Sequence, residues 1–269
     1  MKEVNPLYGA LGGDLIGSIY EWRNHKSKEF ELVRRNCDFT DDSILTLATA
    51  QAILDGNCDY ARQYHAWGNN YPNAGYGGSF CRWLETPVEQ LAPYNSWGNG
   101  SAMRVSPVGF AFDKENEVLA QAERSAAVTH NHPEGIKGAQ ATALAILLAR
   151  NGLEQNAIQA RIERDFGYDL STPLDDIRPT YRFDVSCQGT VPVAIRAFLE
   201  ATSYEDAIRN AISVGGDSDT IGAITGSIAL AFFKEMPDTL VMEIERRLFS
   251  DMQETCERFA VAFARKKTN

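Results

Sequence analysis

Two short polar segments, far apart in the chain, constrain its fold more than any other feature: Phe39-Thr40-Asp41-Asp42 and Gly215-Gly216-Asp217-Ser218-Asp219-Thr220. Each places two carboxylates and a threonine hydroxyl within three or four residues, and each opens directly into an apolar stretch of helical spacing. One acidic pair at a helix start has an ordinary explanation, with one acid capping the helix and the other complementing its dipole. Two such clusters, the second preceded by paired glycines that permit a tight turn, suggest instead two helix starts facing each other across a cleft. The hard oxygens of Thr40, Asp41, Asp42, Asp217, Asp219 and Thr220 suit a pair of Mg²⁺ or Mn²⁺ ions. The chain from 43 to 216 would then be closed by the metals into one domain, which points to a hydrolase with a two-metal centre.

Helical patterning runs through the rest of the chain. Asp41-Asp42-Ser43 caps a stretch through Ile53 that stops at Gly56. Apolar spacing predicts further helices over Asn116–Val128, Pro133–Arg150, Leu153–Phe166, Val191–Ala201, Tyr204–Val214, Ile221–Phe233 and Leu240–Ala264. Pro133 and Pro192 suit first-turn positions, where the missing N–H is not needed. Strand evidence is confined to the short alternation Tyr181–Val185, and the Pro- and Asp-rich piece Ser171–Pro179 reads as a surface loop. The expected fold is all-α, a single compact multi-helix domain over residues 1–269 with a central cleft.

Composition narrows the function. A formal net charge of −10 argues against a nucleic-acid-binding surface. The one basic run, Arg265-Lys266-Lys267, sits at the C-terminus and reads as a solvated tail. No apolar stretch reaches membrane-spanning length, and the N-terminus lacks a signal-peptide pattern, so no membrane association is expected. Five cysteines, widely spaced and never in a CxxC arrangement, fit reduced thiols in a cytoplasmic protein better than a zinc site or disulfide scaffold.

The stretch Gly9–Glu21 is rich in small residues and places Asp14 and Glu21 seven apart, on one face of a helix packed tightly at the centre. Asp14 reads as a buried hydrogen-bonded anchor, and Glu21, beside Trp22 and Arg23, as the acid that reaches a substrate. Two glycine-rich loops follow, one through Gly75, Tyr76, Gly77 and Gly78, the other through Asn95, Ser96, Trp97 and Asn99. Their backbone N–H groups suit a diphosphate and their aromatics suit a base, although ordinary turns explain such loops about as often. His130 and His132 precede a helix, where capping or ligand contact is a better reading than metal ligation.

These segments, in this order, resemble the ADP-ribosylglycohydrolase family, which includes the enzyme that removes ADP-ribose from dinitrogenase reductase. The matching pieces are GALGGDLIGSIYE (9–21), FTDD (39–42), GYGGSF (75–80), SWGNGSAMRVSPVG (96–109), THNHP (129–133) and VGGDSDTIGAITGSIA (214–229). The resemblance implies an all-α fold with two divalent cations, Mg²⁺ or Mn²⁺, and gives Thr40, Asp41, Asp42, Asp217, Asp219 and Thr220 as ligands. It implies hydrolysis of ADP-ribosylated protein side chains by water attack at C1″, with Glu21, Asp41 or Asp42 guiding the proton and ADP-ribose released. Gly75 to Gly78, Asn95, Ser96 and Asn99 would cradle the diphosphate, Trp97 would pack near adenine, and His130 would contact the ligand. Arginine-linked substrates are favoured. The alternatives are a serine-linked or O-acetyl-ADP-ribose hydrolase, or an ADP-ribose-binding or crystallin-like protein without turnover.

Overall fold

A computed structural model describes residues 4–263, which fold into helices joined by short loops. In chain order these are α1 (Tyr8–Gly17), α2 (Asp41–Leu54), α3 (Tyr60–Asn70), α4 (Gly78–Leu84), α5 (Gly100–Met103), α6 (Ser106–Ala111), α7 (Glu115–Ala127) and α8 (Pro133–Arg150). They continue with α9 (Gln155–Phe166), α10 (Leu174–Ile177), α11 (Cys187–Leu199), α12 (Tyr204–Val214), α13 (Ser218–Phe233), α14 (Asp238–Arg247) and α15 (Ser250–Phe263). Among the described residues there is no strand, only an isolated antiparallel bridge between Gly98 and Ser186. The Tyr181–Val185 alternation is loop. The basic run at 265–267 lies outside the described residues.

The centre is the seam between α1 and α13. Helix α13 is apolar all round and buried from Ser218 to Ala231, as expected of a helix with neighbours on every side; α8, α11 and α12 flank it. Its contact with α1 is backbone against backbone. A Cβ on Gly13 would stand 1.9 Å from the Gly222 carbonyl oxygen, and one on Gly226 would stand 2.2 Å from that of Gly9. Glycine at these crossings lets the two helices run antiparallel in direct contact. The C-terminal half of α1, with Asp14, is thereby set against the N-terminus of α13, with Asp219.

Several boundaries differ from the sequence expectation. Helix α1 ends at Gly17, so Glu21 lies in the following turns and does not share a helical face with Asp14. Thr40, not the acids, caps α2, its Oγ1 accepting from Asp42 N–H at 3.3 Å. Pro133 does occupy the first turn of α8. Pro192, by contrast, is inside α11, because that helix begins five residues earlier at Cys187, capped by Ser186. The donor lost at Pro192 is opposite exposed Gln188, where solvent can satisfy the carbonyl. The stretch expected as one helix from Leu240 is two, parted where Leu248 turns extended and tucks against the core. The 171–179 loop contains the single turn α10.

Candidate metal centre and ligand cleft

The two acidic segments meet. Thr220 Oγ1 on α13 lies 3.3 Å from Asp42 Oδ2 on α2, and Thr40 Oγ1 lies 3.4 Å from the same oxygen. Carboxylate oxygens of Asp14, Asp42 and Asp219 fall within 4.8 Å of one another, and so do those of Glu21, Asp217 and Asp219. Asp219 belongs to both groups, so two adjacent oxygen clusters share one carboxylate. Asp41 belongs to neither triad but feels the charges of Asp219 and Asp14; its N–H is bonded to the Ala74 carbonyl at 2.8 Å and its carboxylate lies beside Gly75.

Local chemistry explains how each acid is held. Asp14 accepts from Thr40 N–H (2.9 Å), Thr40 Oγ1 (2.7 Å), Ser43 N–H (3.1 Å) and the Ser43 hydroxyl, which tie α1 to the start of α2. It is thus the anchor the sequence suggests and also a wall of the first cluster. Asp217 is the N-cap of α13 but makes no capping bond; its carboxylate instead accepts from Asn99 Nδ2 at 2.6 Å. The same Asn99 amide donates to Thr190 Oγ1 at 3.0 Å, and Thr190 Oγ1 donates to the Asp184 carbonyl at 2.9 Å. Gly215 and Gly216, both at φ near +75°, make the turn that delivers Asp217, a conformation L side chains resist.

The electrostatics suit a bound cation. Burial first, and repulsion from Asp219 and Asp14 next, push Asp41 and Asp42 well above the usual carboxylate range. Burial and Asp217 do the same to Asp219. Burial raises Asp14 and Asp217 to about 6 and, with Asp219, raises Glu21 to about 7. Asp42 Oδ1 is buried with no hydrogen-bond partner. Buried carboxylates at this density are costly unless protonated or matched by positive charge. Their all-oxygen donor set fits hard divalent ions, so the residues present suit the metals the sequence implies.

The two glycine-rich loops border this centre, one through Gly75 beside the Asp41 carboxylate and the other through Asn99 on Asp217. Gly75, Gly77 and Gly78 are exposed, with Gly78 starting α4. The Tyr76 ring is buried against Phe80, with centroids 5.3 Å apart, and is not offered to a base as the loop's composition suggested. Trp97 is the open aromatic, 54% exposed and edge-on to His132. Asn95 N–H bonds Asn131 Oδ1 at 2.8 Å and Gly98 N–H bonds Ser96 Oγ at 3.1 Å, fixing this loop on the 129–131 turn. His132 caps α8 through Nδ1, at 3.1 Å from Glu134 N–H, and His130 is buried beneath Gly98 and Gly100. Sequence reasoning missed Thr190 and the exposed stack of Trp22 on Phe183, with centroids 4.9 Å apart. The signal for Trp22 was its place beside Glu21; Thr190 had none.

The family model described as ADP-ribosylglycohydrolase matches residues 4–269. The chain belongs to the ADP-ribosylglycohydrolase family. Among its curated relatives is ADP-ribosylhydrolase ARH3 of Xenopus tropicalis, 25% identical, with 97% of this chain and 95% of the relative covered. Human ADP-ribosylhydrolase ARH3 is 28% identical over 84% of each chain. ADP-ribosylarginine hydrolase Tri1 of Pseudomonas putida (strain GB-1) is 25% identical over 84% of this chain and 69% of its own. A solved structure titled ADP-ribosylglycohydrolase-related protein complex has the same fold, with a TM-score of 0.74 at 24% identity and 96% of both chains covered. The protein is therefore a glycosyl hydrolase of ADP-ribose linkages with the family's all-α fold. No helix among the described residues is long and apolar enough to cross a membrane.

Proposed function

We propose that this protein removes ADP-ribose from modified protein side chains, arginine-linked ones in preference, in a reaction that needs two divalent cations. The observation that carries the reading is the pair of oxygen clusters sharing Asp219, bordered by the loop that carries Asn99 and the exposed Trp97. Thr40, Asp42, Asp217, Asp219 and Thr220, with Asp14, would hold Mg²⁺ or Mn²⁺, ions that polarise sugar hydroxyls and acidify a neighbouring water. Asp41 would complete the ligand set from the edge of the clusters.

Glu21 is the best-placed proton carrier. It lies in the second cluster and is raised to about 7, near the pH at which a group both takes and returns a proton. Water adds at C1″, the C1″–nitrogen bond breaks, and the water's proton passes by way of Glu21 to the departing guanidine. Asn99 holds Asp217 in place for this, and Trp97 with Gly75, Gly77 and Gly78 receives the ADP half. The preference for arginine is supported by Trp22, 78% exposed and directly after Glu21, since a tryptophan face attracts a guanidinium. It is also supported by the relative named as an ADP-ribosylarginine hydrolase. The five free cysteines suit a cytoplasmic setting.

The test is incubation with Mg²⁺ or Mn²⁺ and two modified peptides, one arginine-linked and one serine-linked, with released ADP-ribose read by mass. Release from the arginine-linked peptide, abolished by a chelator, is expected. Release from the serine-linked peptide alone would reverse the acceptor assignment. Binding of ADP-ribose without release from either would make the protein a reader.

A further inference from the structure

The segment that joins α1 to α2 carries Glu21 and Trp22 and then runs back along α12. Toward the start of that helix it is fastened by helix side chains: Arg209 donates to the Lys28 and Phe30 carbonyls, each at 2.9 Å, and Asp206 pairs with Lys28 at 2.6 Å. Lys26 is fastened differently. Its Nζ donates to the carbonyl of Val214, the last residue of α12, and to the Tyr181 carbonyl at 2.9 Å. One ammonium therefore joins three stretches of chain: its own, the end of α12 and the loop that follows α10.

Each stretch leads to the second oxygen cluster, that of Glu21, Asp217 and Asp219. Val214 is followed by the Gly215-Gly216 turn that delivers Asp217. Tyr181 leads to Asp184, whose carbonyl accepts from the Thr190 hydroxyl beneath the Asn99 amide that bonds Asp217. The three stretches also touch. A Cβ on Gly215 would stand 2.5 Å from Asn24 Oδ1 and 3.0 Å from the His25 carbonyl oxygen, and one on Gly216 would stand 2.8 Å from the Tyr181 ring. The glycines of this turn offer no side chain to hold it, so a polar link has to come from a neighbour. A carbonyl at a helix C-terminus has no partner within the helix, and Val214 is 0% exposed, so water does not supply one. A positive charge there also complements the helix dipole. Lys26 meets both demands.

We propose that Lys26 is a positioning residue: bonded to the Val214 and Tyr181 carbonyls, it holds the Glu21 segment against the turn that delivers Asp217, so that the two acids face one cation. Without it the three stretches would keep their packing contacts but lose the polar link that joins them beside the cluster. The cation rests on the two-metal reading above; the link between the three stretches does not.

The experiment is hydrogen exchange read by mass on the full chain in Mg²⁺, paired with calorimetric titration of Mn²⁺. In Lys26→Met the amides of residues 20–24 and 215–218 are expected to exchange about tenfold faster than in wild type, the worth of one hydrogen bond, while those of α8 keep their rates. Mn²⁺ should bind that variant about tenfold more weakly at one of two sites and as in wild type at the other. Lys28→Met, which cuts a link of the same segment to α12, should leave both sites unaltered. Lys26→Gln, which keeps a donor without the charge, should fall between, and it carries the test if Lys26→Met does not fold. Unchanged exchange at 20–24 and 215–218, an equal loss at both sites, or the same loss in Lys28→Met overturns the inference. A wild type that binds fewer than two Mn²⁺ overturns the two-cation reading, and the exchange rates alone then decide the link.

Discussion

The two sides of the 95–100 loop are built from opposite charges. On one side Asp14, Glu21, Asp42, Asp217 and Asp219 crowd around two helix starts, with burial raising each of them. On the other, Arg104 is buried against an aromatic ring and bonded only to neutral oxygens. Neither side is balanced internally, and the loop between them touches both: Asn99 bonds Asp217, and Gly100 lies on His130. The difference teaches that neither excess of charge is neutralised by an opposite charge nearby: the acidic side suits cations, whereas the guanidinium is satisfied by neutral oxygens and a ring face.

The sharpest way to break this comparison is at the shared carboxylate. Asp219→Asn should lower Mg²⁺-dependent turnover by about a thousandfold or more. Its metal-free melting temperature should hold or rise, because a buried repulsive charge has gone. Full turnover in that variant would remove the bridging role. The next effect is on the seam that sets the acids' spacing. Gly13→Ala drives a Cβ to 1.9 Å from the Gly222 carbonyl oxygen and should cost about 3 kcal/mol or more in denaturant unfolding. Gly77→Ala, where a Cβ meets nothing within 4 Å, should stay within about 0.5 kcal/mol; equal costs would mean the seam is not tight.

Acidity separates the two sides more gently. Asp14, Asp217 and Glu21 have folded values raised to about 6, 6 and 7, above their unfolded ones. Their contribution is complete below the unfolded values near pH 4 and is lost as pH rises through 6 to 7. The melting temperature in chelator should therefore fall by several degrees over that range, and saturating Mg²⁺ should flatten the fall. A flat profile in chelator would show that the carboxylates are not strained. The smallest effect is expected at the rim, where Trp22→Ala should raise KM for an arginine-linked peptide several-fold while leaving kcat and ADP-ribose binding intact. An unchanged KM would detach the acceptor from the Trp22–Phe183 stack.

Much of this was legible in the residues. Helical spacing located α7, α8, α9, α12 and most of α13, because an amphipathic or wholly apolar period survives any tertiary context. The paired acid-hydroxyl segments announced a shared site because nothing local accounts for both. Boundaries were harder. Glu21 was placed on α1, yet that helix stops at Gly17, where the close approach of Asp219 leaves no room for a side chain. The Leu248 break lies in a pattern that reads as continuous helix, and what interrupts it is packing against the core. Tyr76 looked like a ligand aromatic because composition does not report which way a ring turns.

The sequence by itself determined an all-helical chain, two oxygen-rich helix starts, and the small residues at 9, 13, 17, 222 and 226 that permit close helix contact. Those properties are local, written in periodicity, caps and side-chain size. Only the tertiary structure decided that Asp219 serves two clusters while Asp41 belongs to neither, that Asn99 holds Asp217, and that Arg104 reaches Thr129. These depend on where backbones 25 residues apart, as for Arg104 and Thr129, or 118 apart, as for Asn99 and Asp217, come to rest, and on distances of a few tenths of an ångström. Carboxylate repulsion and hydrogen-bond direction act only at such range, so their outcome is settled in three dimensions.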